Sequence, residues 1–329
     1  MSHHPFDTLT PDVVLDALSA VGLEGDGRLT ALNAYENRVY LAPLEDGSAV
    51  VTKFYRPERW TDVQIEEEHT FANELALAEV PMVAPLRLHG HTLHHHGGFA
   101  FSVTPRRGGR NPELDDLEVL QWIGRFLARL HEVGAAHRFQ HRPALLPKTF
   151  GHEQVQWLLT HGGIPPDALA PWHEAAEAAL HTVNALWART AFRPLRLHGD
   201  CHPGNILWTP TDRPGGGPHF VDLDDSRTGP AVQDLWMLLS GDRAHQQRQL
   251  GALLDGYETL RAFDRGELAL IEALRTLRLI HYSAWLARRW SDPTFPIHFP
   301  WFGTRSYWME QTQTLWDQVT AMQVDSLVA

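Results

Sequence analysis

Residues 195–225 read LRLHGDCHPGNILWTPTDRPGGGPHFVDLDD. Two short apolar runs, Ile206-Leu207-Trp208 and His219-Phe220-Val221, flank a turn-rich insert at 209–218. That arrangement predicts a β-hairpin. Asp200 and Asn205 precede its first strand, and Asp222, Asp224 and Asp225 follow its second. A hairpin folds its two ends together, so these side chains are expected to share one small space. Carboxylates crowded beside a carboxamide repel one another unless something cationic sits between them. Hard oxygen donors of this kind suit Mg²⁺ held jointly with phosphates. An Asp, then an Asn, then a metal-binding Asp is the layout of phosphoryl transfer. A hairpin with solvated acidic ends is the plainer alternative. The combination HGDxxxxN, strand, turn and VDxDD is far more specific than HGD alone, and favours the chemical reading.

The rest of the chain sets bounds on that reading. Its 329 residues suggest one large or two modest domains. A hydrophobic share of 43% with 21% charge is that of a globular protein with a sizeable core. The one cysteine, Cys201, excludes a disulfide framework and points to a reducing compartment. It is expected to be a buried, inert thiol rather than a redox sensor. The net charge of −12 argues against nucleic acid as a partner. The opening MSHHPFDTLTPD lacks the basic and apolar regions of a signal peptide, and no apolar run is long enough to span a membrane. A cytoplasmic protein is expected.

Toward the N-terminus, Thr10 and Pro11 cap and open a helix that stops at Gly22. Two strands follow, joined at Asp46-Gly47. Lys53 falls late in the second, with Val51 expected on the opposite face. An edge lysine is the bland reading. A helix over 62–78 follows, however, and Glu68 shares a face of it with Phe71 and Leu75. An inward glutamate there would hold Lys53 toward nucleotide phosphates. Glu66 and Glu67 compete for that role, and Glu68 is preferred for its spacing. The loop 33–37 lies where a phosphate-covering loop would, but has no glycine, so contact would fall to Ala34 and neighbouring backbone N–H groups. The cluster His89, His91, His94, His95 and His96 is read as a hairpin tip rather than a metal site.

Residues 104–112, TPRRGGRNP, form the best boundary. Their three arginines either meet phosphate or substrate, or make a solvated linker. The domains are then a nucleotide-binding lobe at 1–103, a hinge at 104–112 and a catalytic and substrate lobe at 113–329. Beyond the hinge, Leu120, Ile123, Leu127 and Leu130 mark the core face of a helix over 114–133. Helices are also expected at 157–159, 171–189, 231–239, 243–260, 266–290 and 306–321. Asp234, inside an apolar run, either anchors the backbone of the catalytic loop or lies exposed in a first turn. Trp285, Trp290, Trp301 and Trp308 are read as core before substrate platform. The fold class is α+β: a small antiparallel β lobe plus a large helical lobe, with the site in the cleft between them.

On these residues the chain resembles the two-lobed, protein-kinase-like fold of the aminoglycoside and choline phosphotransferases, through HGDCHPGN and FVDLDD. LNAYENRVY, VTKFYRPERW, FVDLDDSRTGPAVQDLWMLLSGD and YSAWLARRWSDPTFP extend the likeness, over residues 11 to about 313, to the bacterial stress-response serine/threonine protein kinases. That resemblance implies ATP- and Mg²⁺-dependent phosphorylation of protein substrates and of itself, by a cytoplasmic monomer. It matches Asp200 to the proton acceptor, Asn205 to a Mg²⁺ ligand and Asp222 to the second metal-binding aspartate. It also matches Lys53 to the phosphate-binding lysine and Ala34 to the nucleotide-loop contact. The chain departs from wider protein-kinase patterns in having no glycine-rich loop, no DFG and no APE, and its insert at 209–219 is longer than expected. Two other functions compete. One is a small-molecule kinase, with Asp224 and Asp225 recruiting a cationic amino alcohol or aminoglycoside. The other is a nucleotide-sensing pseudokinase scaffold, which has no chemical need to keep Lys53, Asp200, Asn205 and Asp222 together.

Overall fold

Thr10 accepts the Val13 N–H and Pro11 fixes the first turn of helix α1 (Pro11–Ala20), as the sequence predicts. The architecture comes from a computed structural model, which describes residues 5–324 and 326–327. Residues 1–4, where the reading of the N-terminus begins, lie outside the described residues. After α1 come β1 (Thr30–Leu32), β2 (Arg38–Pro43), β3 (Ala49–Phe54), α2 (Asp62–Leu77), β4 (His94–His96) and β5 (Phe99–Pro105). The strands form one antiparallel sheet in the order β1-β2-β3-β5-β4. Gly47 turns β2 into β3 with φ of +84°. Val50, Thr52 and Phe54 are the buried face of β3, so Lys53 lies on the same side as Val51, not opposite it. Residues two apart in a strand share a face, and that periodicity corrects the expectation.

The large lobe contains α3 (Leu117–Ala136), α4 (Glu153–His161), α5 (Pro166–Arg189), β6 (Leu195–Leu197), β7 (Ile206–Thr209), β8 (Gly217–Phe220) and β9 (Arg227–Gly229). These are followed by α6 (Gln233–Trp236), α7 (Arg243–Tyr257), α8 (Ile271–Arg289), α9 (Thr294–His298) and α10 (Arg305–Ala321). Leu120, Ile123, Leu127 and Leu130 of α3 are fully buried. The helix itself starts at Leu117, where Asp116 accepts the Glu118 N–H as its cap. Other differences follow from tertiary packing overriding local signals. α5 begins five residues before Pro171 because Ala168 and Trp172 are drawn into the core. The apolar run at 231–239 gives only the short α6, because its side chains pack in every direction. α9 lies in the proline-rich stretch between the helices expected at 266–290 and 306–321.

α3 and α7 cross at close range. A Cβ on Gly124 would meet the Leu253 carbonyl oxygen at 2.0 Å, and one on Gly256 would meet that of Gln121 at 2.0 Å. Phe71, Ala72 and Leu75 of α2 belong to the large lobe's core, while α1 and the inner face of the sheet make a second core of their own. The helix of the small lobe is thereby keyed into the large lobe.

Candidate active site

The hairpin β7–β8 pairs Ile206 with Phe220 and Thr209 with Gly217, leaving residues 210–216 as its tip. The Val221 N–H donates to the Asn205 carbonyl at 3.1 Å, which closes the two ends together. Asp200, Asn205, Asp222, Asp224 and Asp225 therefore line one cleft of about 570 Å³. Ala34 lines it from the small lobe. A larger cavity of about 700 Å³, between α5, the start of α8 and the end of α10, contains none of these residues.

Three residues hold the Asp200 loop. Asp234 is fully buried and accepts the N–H groups of His198 and Gly199, each at 2.8 Å. It also lies 3.1 Å from Nε2 of His131, which must donate because a carboxylate only accepts. The anchoring role for Asp234 is thus the one the geometry supports. His198 donates through Nε2 to the Val221 carbonyl at 2.9 Å, tying the loop to the exit of the hairpin. Gly199 has φ of +86°, and a Cβ there would sit 2.2 Å from the Asp225 carbonyl oxygen. The glycine of HGD is required by that approach.

Asn205 donates its amide to the Asp200 carbonyl at 3.0 Å, so its side-chain oxygen is the end available to a cation. Asp222 has φ of +62°, a left-handed backbone rare outside glycine, and its side chain is 48% exposed. An open carboxylate and an oriented amide oxygen fit a hard divalent cation. Lys53 reaches Asp222 at 3.1 Å, Glu68 at 3.7 Å and Asp224 at 3.7 Å. Burial alone would lower the Lys53 pKa, but the charges around it, above all Asp222, raise it well above the ordinary value. Of the three competing glutamates, Glu68 faces Lys53. Glu67 instead accepts the N–H groups of Gln140, His141 and Arg142.

Asp200 carries an ion pair to Arg278 of α8 at 2.5 Å and lies 3.5 Å from His202. Burial works to raise its pKa, but the His202 hydrogen bond and the Arg278 charge prevail and hold it down at about 2. Asp224 and Asp225 are neutralised by the protein itself. Arg59 bridges both, and Arg227 pairs with Asp225 at 2.7 Å. The recruitment of a cationic substrate by Asp224 and Asp225 is therefore corrected: their charges are spent on arginines. Cys201 is fully buried, and burial pushes its thiol well above the ordinary range. Trp285 is not purely core, because its ring lines the cleft and its Nε1–H donates to Glu36 at 2.6 Å.

Sequence reasoning missed Arg59, Arg142, Arg227 and Arg278. Arg142, fully buried in its side chain, backs Glu68 at 3.5 Å and donates to the Ser226 carbonyl at 2.8 Å. A signal for some of them was present. Five acidic or amide side chains in one space demand cations from the chain as well as from solution, and YRPERW supplies Arg59 directly after the Lys53 strand.

With a lysine and glutamate on the small lobe facing an Asp-Asn-Asp constellation on the large one, the fold can be compared with known proteins. The sequence profile of the phosphotransferase enzyme family matches residues 28–271. The chain belongs to that family. Among curated members of the phosphotransferase family it is 48% identical over 318 residues to stress response kinase A of Escherichia coli (strain K12), covering 97% of this chain and 95% of the relative. It is 47% identical over 313 residues to the serine/threonine protein kinase RdoA of Salmonella typhimurium (strain LT2), covering 95% and 93%. Solved phosphotransferase-fold structures agree in architecture. The amicoumacin kinase hAmiN, in complex with AMP-PNP, Ca²⁺ and Ami, superposes with a TM-score of 0.71 at 18% identity, covering 94% of this chain and 92% of that one. A microcompartment-associated aminopropanol kinase gives 0.65 at 17% identity, covering 95% and 97%. The chain is a kinase of the phosphotransferase family, of the stress-response type, and its two-lobed α+β fold is the one the sequence suggests.

Proposed function

We propose that this kinase is an ATP- and Mg²⁺-dependent serine/threonine protein kinase that phosphorylates protein substrates and itself, acting as a monomer in the cytoplasm. The observation that carries the reading is the closure of Asp200, Asn205 and Asp222 by the hairpin, directly across from the Lys53–Glu68 pair. The relative named as a serine/threonine protein kinase supports the choice of a protein acceptor. Among the described residues no helix is long and apolar enough to cross a membrane.

In this reading Asn205 and Asp222 would hold Mg²⁺, which would supply positive charge to offset that of the ATP phosphates. Lys53 turns from Asp222 to the phosphate oxygens, and Glu68 with Arg142 behind it keeps the lysine aimed. Ala34 and the backbone of its loop lie over the nucleotide. Asp200 accepts the proton of the serine or threonine hydroxyl as that oxygen bonds the γ-phosphorus. The bond from the γ-phosphorus to the bridging oxygen breaks, and ADP leaves with the electron pair. A pKa of about 2 makes Asp200 a weak base at rest, but its proton transfer is late in a loose transition state, so positioning matters more than basicity. Asp200→Asn is expected to bind ATP yet lose at least about a thousandfold in kcat. Transfer of labelled phosphate at the wild-type rate in that variant would remove Asp200 from this role. Label entering only small hydroxy compounds, never protein, would replace the protein acceptor with a small molecule.

A further inference from the structure

The cleft is lined by five carboxylates, and each already faces a cation of the protein itself. Glu36 pairs with Arg56 at 3.0 Å, Asp222 with Lys53 at 3.1 Å and Asp225 with Arg59 at 2.9 Å, while Asp224 is bridged by Arg59. Asp200 is held by Arg278 at 2.5 Å. The arginines of this set are not equivalent. The side chains of Arg59 and Arg227 are 12% and 7% exposed; Arg59 is locked among Glu36, Asp224 and Asp225, and Arg227 is held by both the side chain and the carbonyl of Asp225. That of Arg278 is 42% exposed, and among the described residues its ion pair is with Asp200 alone. When Asp200 turns to the acceptor hydroxyl, the charge on Arg278 is left facing the acceptor.

Arg278 also begins a strip. Tyr282 and Trp285 follow it at helical spacing on α8, line the same cleft, and stack on each other with ring centroids 5.6 Å apart. From Arg278 to Trp285 the helix rises roughly 10 Å, about the length of three residues of extended polypeptide.

We infer that Arg278, Tyr282 and Trp285 read the acceptor, and that they select a polypeptide segment whose phosphorylatable serine or threonine is flanked by an acidic residue. This rests on the kinase reading above. Arg278 holds the Asp200 carboxylate in place in the free enzyme. An acidic side chain beside the acceptor hydroxyl then takes over the guanidinium, and Asp200 is released to the hydroxyl at the moment the acceptor arrives. A basic flank meets Arg278 as a like charge, and the carboxylates of the cleft already face cations of the protein itself.

The test uses the full chain with Mg²⁺-ATP and matched serine peptides whose flanking residues are Asp, Ala or Lys. Labelled phosphate transfer gives kcat/KM for each. The acidic peptide is expected to exceed the neutral one by about five- to tenfold, with the basic peptide last. Arg278→Gln is expected to shrink the acid-to-base ratio toward one, Arg278→Lys to keep its direction, and Arg278→Glu to reverse it. A merely structural role for Arg278 would lower all three peptides together and leave the ratios alone, and that result overturns the inference. So does a wild-type preference for the lysine peptide. Matched anionic hydroxy acids and cationic amino alcohols, run in parallel, separate this inference from the protein-kinase reading. Label confined to small molecules ends that reading and the peptide assignment with it. In that case an anionic preference that vanishes in Arg278→Gln still assigns the charge selection to Arg278, and a cationic preference removes it.

Discussion

Glu267 gives the Val232 N–H its acceptor at 3.0 Å and is only 4% exposed. Burial raises its pKa from the ordinary 4.5 to about 7, outweighing the backbone N–H bonds that favour the charged form. A carboxyl whose folded pKa lies above its unfolded one adds stability that is complete at acid pH and is lost as pH rises through the folded value. The wild type is therefore expected to lose up to about 3 kcal/mol on this account between pH 5 and 8. Glu267→Gln keeps an oxygen for Val232 and has no proton to lose. Its melting temperature, compared with wild type, should gain between pH 5 and pH 8. A constant difference across that range would show that Glu267 does not titrate there. Nothing in the local sequence around Glu267 announces this, because its partner Val232 lies 35 residues away in the chain. Asp200, Asn205 and Asp222 were legible for the opposite reason. One local hairpin sets their proximity, and its turn and strand signals lie within the same 31 residues. Arg278 and Arg142 reach the site from distant segments, and sequence spacing holds no record of that.

The catalytic loop depends on one short element. Asp234 lies in the four-residue helix α6 and accepts two backbone N–H groups of the Asp200 loop. Asp234→Asn preserves volume but turns an NH₂ toward donors. The variant is expected to lose about 3 kcal/mol of stability and more than about tenfold in kcat. Thermal melting and labelled phosphate transfer, both at wild-type values, would remove α6 from the support of the loop. Asp234 was recognisable as an aspartate stranded in an apolar run, which needs partners when buried. The length of α6 was not, since a run apolar on every side carries no period to mark where a helix ends. The His-rich tip is a contrasting case. His94–His96 do form a strand, and His95 meets Asp62 at 3.3 Å on the exposed side of the sheet.

At the scale of the whole molecule, the segment ENR at 36–38 joins the lobes. Glu36 meets Arg289 of α8 at 2.9 Å, Asn37 donates to Asp224 at 3.2 Å, and Arg38 lies 3.7 Å from Asp292. The sequence places a nucleotide loop here, and its neighbouring charges turn out to pair with the large lobe. The lobes meet again at the catalytic hairpin. Phe220 donates to the Pro81 carbonyl at 2.8 Å and accepts the Val83 N–H at 3.0 Å. On the other side, Arg110 and Trp208 exchange both backbone hydrogen bonds, at 3.0 and 2.7 Å. The hairpin thus has a segment of chain along each outer edge, one arriving before β4 and one leaving the hinge.

A hairpin flanked in this way has part of each edge already occupied against a stray strand, and the connection between lobes does not rest on the covalent chain alone. Residues 106–109 are exposed, and a cut there leaves the 36–38 segment with Pro81 and Val83 on one fragment and Asp224, Arg289 and Phe220 on the other. A single proteolytic cut there is expected to yield two fragments that still elute as one particle under native conditions and part only in denaturant. Fragments that separate in plain buffer would show that the backbone, and not the contacts of segment 36–38 and of Pro81 and Val83 with the large lobe, holds the halves together. The fold is, in effect, stitched twice and tethered once, so a severed tether should leave a working enzyme in two pieces.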